Sequence, residues 1–152
     1  MIYLASLLIG VIAGLRTMTA PAAVAWAAYL GWIDLSGTAL AFMGKTWTPW
    51  ILTVLALGEF IADQLPTTPS RKVPVQFGGR IASGALCGAC LGAAGGMMGS
   101  GIVLGAIGAV IGTLGGSAVR ARLAAGFGQD RPAAFIEDAV AVVGAAIIVA
   151  VA

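Results

Sequence analysis

Residues 81–119 read IASGALCGACLGAAGGMMGSGIVLGAIGAVIGTLGGSAV, without one charged side chain. A transmembrane helix needs about 20 apolar residues, so the stretch is too long for one span and must hold two joined by a hairpin. The turn falls in Gly95-Gly-Met-Met-Gly-Ser-Gly101. Gly84, Gly88, Gly92 and Gly96 recur every four residues, and so do Gly108, Gly112 and Gly116. Such spacing clears one helix face of side chains, so that a neighbouring backbone can approach closely. It predicts glycine-zipper packing within or between protomers, with a glycine-lined pore or hinge as the functional alternative. Cys87 and Cys90 form a C-x-x-C inside this apolar run and read as small packing residues, not as metal ligands.

Working outward, 60% of the 152 residues are hydrophobic and 9% charged, and the mean hydropathy is +1.03. Soluble domains carry roughly 25% charged residues to hydrate their surface. Cytosolic enzymes, nucleic-acid binders and disordered tails are thereby excluded, and the chain reads as one polytopic membrane domain, 1–152, in contact with the bilayer. A net charge of +2 is too small to imply a nucleic-acid partner. The absence of histidine removes the commonest metal ligand and the commonest general base near neutral pH. With no nucleophile beside a base either, no enzyme, cofactor or metal centre is expected. The start, Met1-Ile-Tyr-Leu-Ala-Ser-Leu-Leu-Ile-Gly, has no basic n-region, so the first apolar stretch is expected to remain as a span.

Residues 1–33 contain one charge, Arg16. As one helix they would be about 50 Å long, too much for a single crossing. Gly14-Leu-Arg-Thr-Met-Thr-Ala-Pro21 supplies a break, because Pro21 lacks a backbone donor and turns the preceding residue from helical geometry. The expectation is a first span over 1–15 and a second apolar helix over 22–32, either re-entrant or interfacial. A connector over 34–45 leads to a span over 47–62, whose start, Trp47-Thr-Pro49-Trp50, suits the headgroup level. A polar loop over 64–79, the two spans of 81–119, a basic loop over 120–132 and a last span over 133–152 complete the pass. The fold expected is an all-α integral membrane protein of about five transmembrane helices plus a broken or re-entrant helix.

The two polar loops hold Arg71, Lys72, Arg80, Arg120, Arg122 and Arg131, and the other side holds Lys45 and Arg16. That bias puts both loops in the cytoplasm and, with five spans, the N-terminus inside. A full crossing by 22–32 would move the N-terminus outside. Ile9-Gly-Val-Ile-Ala-Gly14 echoes Ile107-Gly-Ala-Val-Ile-Gly112, and Phe60-Ile-Ala-Asp63 echoes Phe135-Ile-Glu-Asp138. On this topology the first pair runs in opposite directions, as a weak inverted repeat requires.

Ionisable groups at membrane depth are costly and normally face the protein interior, paired or hydrated. Glu59 and Asp63 share a helix face, Glu137 and Asp138 enter the last span from the same side, and Arg80 and Arg120 are the available partners. One cytoplasmic-side cluster is expected, either as ion pairs fixing helix register or as a polar cavity for a cation or protons. Arg16, at the break, is expected to mark the outer half, where a helix N-terminus beside it would suit an anion or where it snorkels to headgroups.

Gly14-Leu-Arg16…Pro21, Gly58-Glu-Phe-Ile-Ala-Asp-Gln-Leu-Pro66 with Pro69-Ser-Arg71, Arg80-Ile-Ala-Ser-Gly84 and Ile136-Glu-Asp138 together resemble a family of bacterial membrane proteins. It is catalogued as domain of unknown function 4126. The Glu-x-x-x-Asp-x-x-Pro element is the most specific part, and this chain has Thr-Thr-Pro-Ser-Arg-Lys where many members have a longer acidic loop. The resemblance implies a bacterial inner-membrane location and brings no activity with it. The function expected is a transporter or channel for a small solute or ion, working as a homo-oligomer. Its binding candidates are Arg16, Glu59, Asp63, Arg80, Arg120, Glu137 and Asp138. The rival is a structural or accessory membrane subunit whose charges serve packing and topology.

Overall fold

The computed structural model describes residues 1–67 and 69–152; of the loop expected over 64–79, Thr68 lies outside the described residues. Six α-helices are formed among them: α1 (Ile2–Leu15), α2 (Thr19–Tyr29), α3 (Trp47–Ala62), α4 (Pro74–Ala94), α5 (Met98–Phe127) and α6 (Asp130–Val151), with a 3-10 turn at Ala41–Gly44 before α3. There is no strand among the described residues. Three helices, α4, α5 and α6, are long and apolar enough to cross a membrane. The apolar α1 and α3 are shorter, at 14 and 16 residues, and α2 has 11. Large apolar side chains stand exposed along α3, α5 and α6, among them Val54, Ile61, Val103, Leu114, Val143 and Ile147. Such an outer surface is compatible with contact to lipid tails.

The glycines set the centre of the bundle. Gly84, Gly88 and Gly92 of α4 lie against the backbone of α5 at Gly105, Gly101 and Met97, so the two helices run antiparallel. On α5, Gly105, Gly108 and Gly112 meet α1 at Gly10, Leu7 and Val11. A Cβ at most of these sites would fall on a backbone carbonyl oxygen of the neighbour. Close backbone approach replaces side-chain interdigitation here and gains dispersion contacts along the whole seam. Cys87 and Cys90 are buried free thiols in the adjoining core with Ile9, Val24, Leu91 and Ile148.

The break after α1 forms where Pro21 signalled it, with one difference. Arg16 is extended, at φ −140° and ψ 116°, and α2 begins at Thr19, so Pro21 sits inside the first turn. The first turn has no intrahelical acceptor for its N–H groups, so a proline costs it little. The helix expected over 22–32 accordingly starts and ends about one turn earlier.

Helix extends into both expected loops, taking the last six residues of 64–79 and most of 120–132. α4 starts at Pro74, with Val73 extended before it, so Gln76, Gly78 and Gly79 are helical. α5 continues through Arg120 and Arg122 to Phe127 and stops at Gly128, which takes the left-handed φ of +69° that favours glycine. Arginine is a good helix former. The charges end the apolar pattern without ending the helix.

The path of the chain follows the alternative in which the helix after the break returns to the far end, not the favoured five-span path. The Tyr3 hydroxyl donates to Met97 Sδ at 2.8 Å, and Gly95 packs against Ile2. The start of α1 therefore lies beside the α4–α5 turn, at the end of the bundle away from the basic segments, not on their side. α2 carries the chain back to that far end. There the Trp26 indole donates to Thr53 Oγ1 at 2.9 Å and packs edge-on against Trp50, 5.0 Å between centroids. Asp34 at this end accepts from the Ser36 hydroxyl and backbone N–H, which hold its carboxyl below the usual range. Because α1 and α5 pass in the same direction, the echo of 9–14 in 107–112 joins parallel helices and is not an inverted repeat.

Gly105→Ala and Gly115→Ala separate contact from composition. The first places a methyl on the Gly84 carbonyl oxygen, and the second meets nothing within 4 Å. Thermal unfolding in mild detergent should show Gly105→Ala destabilised by about 1–3 kcal/mol. Gly115→Ala should be neutral or stabilised by up to about 1 kcal/mol from helix propensity. Equal effects would mean that the seam does not hold the bundle.

Candidate functional site

A chain break among helices this apolar leaves backbone N–H and C=O groups that need partners from the protein. At the α1–α2 break, side chains from three other helices do so. Glu59 of α3 receives the Thr17 N–H at Oε1, 2.7 Å, and the Met18 N–H at Oε2, 2.8 Å. Arg80 of α4 donates from Nη1 to the last carbonyls of α1, Gly14 at 2.9 Å and Leu15 at 2.8 Å. The Ser83 hydroxyl donates to the Thr17 carbonyl at 2.6 Å, and the Thr113 hydroxyl of α5 to that of Gly14 at 3.3 Å. Glu59 Oε1 and Arg80 Nη2 are 3.8 Å apart, so the two clamps also neutralise each other.

Arg16, the extended residue of the break, has a side chain with 0% exposure. Its guanidinium forms close ion pairs with Asp63 and Asp138 and stands 3.7 Å from Glu137 Oε2. The Phe60 ring lies 5.8 Å from its central carbon, within cation–π range. Arg120 reaches in from α5, pairing closely with Asp63 and at 3.2 Å with Glu137. It also forks Asp130 through Nε at 3.0 Å and Nη2 at 2.6 Å. Arg71 makes a second fork on Glu137, at 2.6 and 2.9 Å.

The seven candidates Arg16, Glu59, Asp63, Arg80, Arg120, Glu137 and Asp138 thus meet in one network at one end of the bundle. The expectation that Arg16 marks the opposite half is corrected: α1 and α3 both end here, because α2 returns the chain and makes the two helices parallel. Arg71 and Asp130 join the network as well, though the sequence did not single them out. Arg71 stood in the Pro69-Ser-Arg71 element, and Asp130 follows the turn from the helix that carries Arg120. Of the six acidic side chains, only Asp34 lies elsewhere.

Over the network lies a polar cavity of about 410 Å³, lined by Asp63, Ser70, Arg71, Gln76, Arg80, Ser117, Arg120 and Asp130, with Pro66 and Pro69 on its rim. Glu59 and Glu137 are not in its wall. They are engaged beneath it, by backbone N–H groups and by guanidiniums respectively. No group of metal-ligating side chains occurs among the described residues.

Removing the charge of Arg16 leaves Asp63 and Asp138 buried with less compensation. Arg16→Met should lower stability by about 3–5 kcal/mol, the usual cost of breaking a buried pair from one side. Asp130→Asn, at an exposed fork, should cost under about 1 kcal/mol. Thermal melts of both variants in one detergent check the contrast; a tolerated Arg16→Met would mean the cluster is hydrated and loosely coupled to the fold.

The family model described as Domain of unknown function (DUF4126) matches residues 3–152. No curated protein and no solved structure matches the chain.

Proposed function

The chain belongs to this family of unknown function, over essentially its whole length, and we propose that it is a small multi-spanning transport protein. Its solute site, on this proposal, is the polar cavity at the charged end. One observation carries the proposal: two charged side chains in the wall of a cavity of about 410 Å³, Asp63 and Arg80, also reach the broken helix, at Arg16 and at the Gly14 and Leu15 carbonyls. Discontinuous helices are where membrane transporters commonly bind their cargo, since the freed backbone groups and the charges they recruit create polarity at depth. Asp63, Arg80 and Arg120 belong to the cavity wall, and Arg16, Glu59, Glu137 and Asp138 support them from below. With no histidine in the chain and these carboxylates engaged by cations or N–H groups, the site has no free base, which favours transport over catalysis.

The charged end also carries Lys72, Arg122 and Arg131, so the basic bias supports a cytoplasmic location for it and a bacterial inner-membrane setting for the protein. Both termini would then be outside. Because α1, α4 and α5 touch backbone to backbone, a path through their seam is closed, which favours a homo-oligomer that conducts between protomers or by moving α3. A second reading has one observation in its favour. The pairing of Glu59 and Glu137 suits a structural or accessory subunit, whose charges serve only to close the helix break.

Orientation is tested by impermeant thiol labelling of intact cells, Cys87 and Cys90 being buried and silent. Thr67→Cys and Gln129→Cys should stay unlabelled from outside, and Ser36→Cys should label; the reverse pattern inverts the topology. Function is tested by solute and ion flux into liposomes holding the purified protein. Asp130→Asn, which removes one of the two carboxylate charges of the cavity wall at nearly constant shape, should change flux severalfold while the fold persists. Absence of flux across a broad panel of solutes would favour the accessory subunit.

A further inference from the structure

We propose that the cavity is a site for a small oxyanion, a carboxylate or phosphate group, and that Asp130 holds its place when the site is empty. The inference rests on the transport reading of this cavity and names the class of cargo.

The expectation of a cation or proton site depended on carboxylates being free to receive one. Here they are engaged. Asp63 is held by Arg16 and Arg120, Glu137 by Arg71 and Arg120, Asp138 by Arg16, and Glu59 by two backbone N–H groups. An entering cation would have to displace a guanidinium from Asp63, Glu137 or Asp138, or two backbone N–H groups from Glu59. The helix N-terminus at Met18, which could have drawn an anion to Arg16, is already closed by Glu59.

Both carboxylates of the cavity wall are paired with Arg120, while the Arg71 guanidinium keeps donors beyond its fork on Glu137. Arg71, Arg80 and Arg120 line it against two carboxylates, Asp63 and Asp130, with Gln76, Ser70 and Ser117 between them. The arginines are held in place from behind. Arg80 is anchored on the α1 carbonyls and Arg71 on Glu137, and their side chains are only 4% and 9% exposed. Five N–H donors on a planar group suit two-point recognition of an oxyanion, and a fork on Glu137 uses only part of Arg71's set.

Asp130 shows how an oxyanion sits on the wall. Its carboxylate takes the Arg120 fork with both oxygens, at 3.0 and 2.6 Å, in the geometry a free carboxylate or phosphate would adopt. Unlike Asp63 and Glu137 it is 59% exposed. It stands in the first turn of α6, directly after the Gly128 turn, so it can leave toward solvent at little cost. An arriving oxyanion would exchange with Asp130 on Arg120 and reach Arg71 across the cavity. The deeper pairs, which hold the helix break, stay as they are.

The test uses the full-length protein in detergent micelles, titrated with sodium phosphate or sodium acetate against sodium chloride at matched ionic strength. The readout is the melting temperature. Phosphate or acetate should give a saturable rise that chloride does not. Asp130→Asn should bind the same anion severalfold more tightly, because the internal competitor has lost its charge. Arg71→Lys, which keeps the charge and loses the fork, should weaken binding about tenfold. Nanodiscs of phosphatidylcholine alone or mixed with phosphatidylglycerol separate the sources. A rise with phosphatidylglycerol and none with free anions assigns the site to a lipid headgroup phosphate, and the opposite pattern assigns it to a soluble anion. No saturable response from either source, or equal responses from wild type, Asp130→Asn and Arg71→Lys, overturns the proposal. Flux without anion dependence would overturn this inference and leave transport standing. Saturable binding without flux would do the opposite.

Discussion

Everything at the charged end depends on closing the break between α1 and α2. Two helix ends meet there in a protein whose exterior offers few partners for an N–H or a carbonyl, and an unsatisfied group in such surroundings costs several kcal/mol. Glu59 closes the N–H side and Arg80 the carbonyl side, so one acid from α3 and one base from α4 are pinned to the same point. Arg16, forced inward by its extended backbone, then needs Asp63 and Asp138, and those bring α3 and α6 to the same level. Arg71 and Arg120 offset most of the negative charge that remains, leaving one carboxylate in excess over the four arginines. A single discontinuity in the first helix thereby sets the depth of three others.

The molecule divides its cohesion between two kinds of contact. α1, α4 and α5 are joined by glycine seams, short-range and apolar, in which a methyl group is already too large at many positions. α3 is held differently. Its helix neighbour is α2, most of its side chains are exposed or half-buried, and Glu59 and Asp63 tie it to the break and the cluster. Between α2, α3 and α6 an apolar groove of about 400 Å³ opens, lined by Trp26, Trp32 and Phe60 among others. The seam resists distortion because close-packed interiors do, whereas the position of α3 is fixed largely by charge pairing.

Electrostatic accounting also bears on the proposed cargo of the cavity. Carboxylates and arginines are both numerous, and in the sequence they look interchangeable as binding groups. In the fold Glu59, Glu137 and Asp138 lie outside the cavity wall, while Asp63 and Asp130 stand in it, each paired with Arg120. At the break that suggested an anion site, Arg16 is paired with Asp63 and Asp138 and the Met18 N–H with Glu59, which is why the proposed site is the wall formed by Arg71 and Arg120.

The sequence alone carries the membrane-compatible apolar character, the α4–α5 hairpin and the break near Pro21, because each follows from local rules of apolar length, glycine spacing and proline geometry. It also marked the seven ionisable residues, since a charge in so apolar a chain needs a partner wherever it lies. Only the tertiary structure decided on which side Arg16 stands and that 9–14 and 107–112 run parallel. The reason is that α2 is too short and too weakly patterned for its path to be read, and reversing that one helix moves the N-terminus and α1 to the other side. Only the tertiary structure, too, extended α4 and α5 into the expected loops and drew in Arg71 and Asp130. Helix length past the apolar zone is set by contacts at the cluster, and those contacts join residues far apart in the chain.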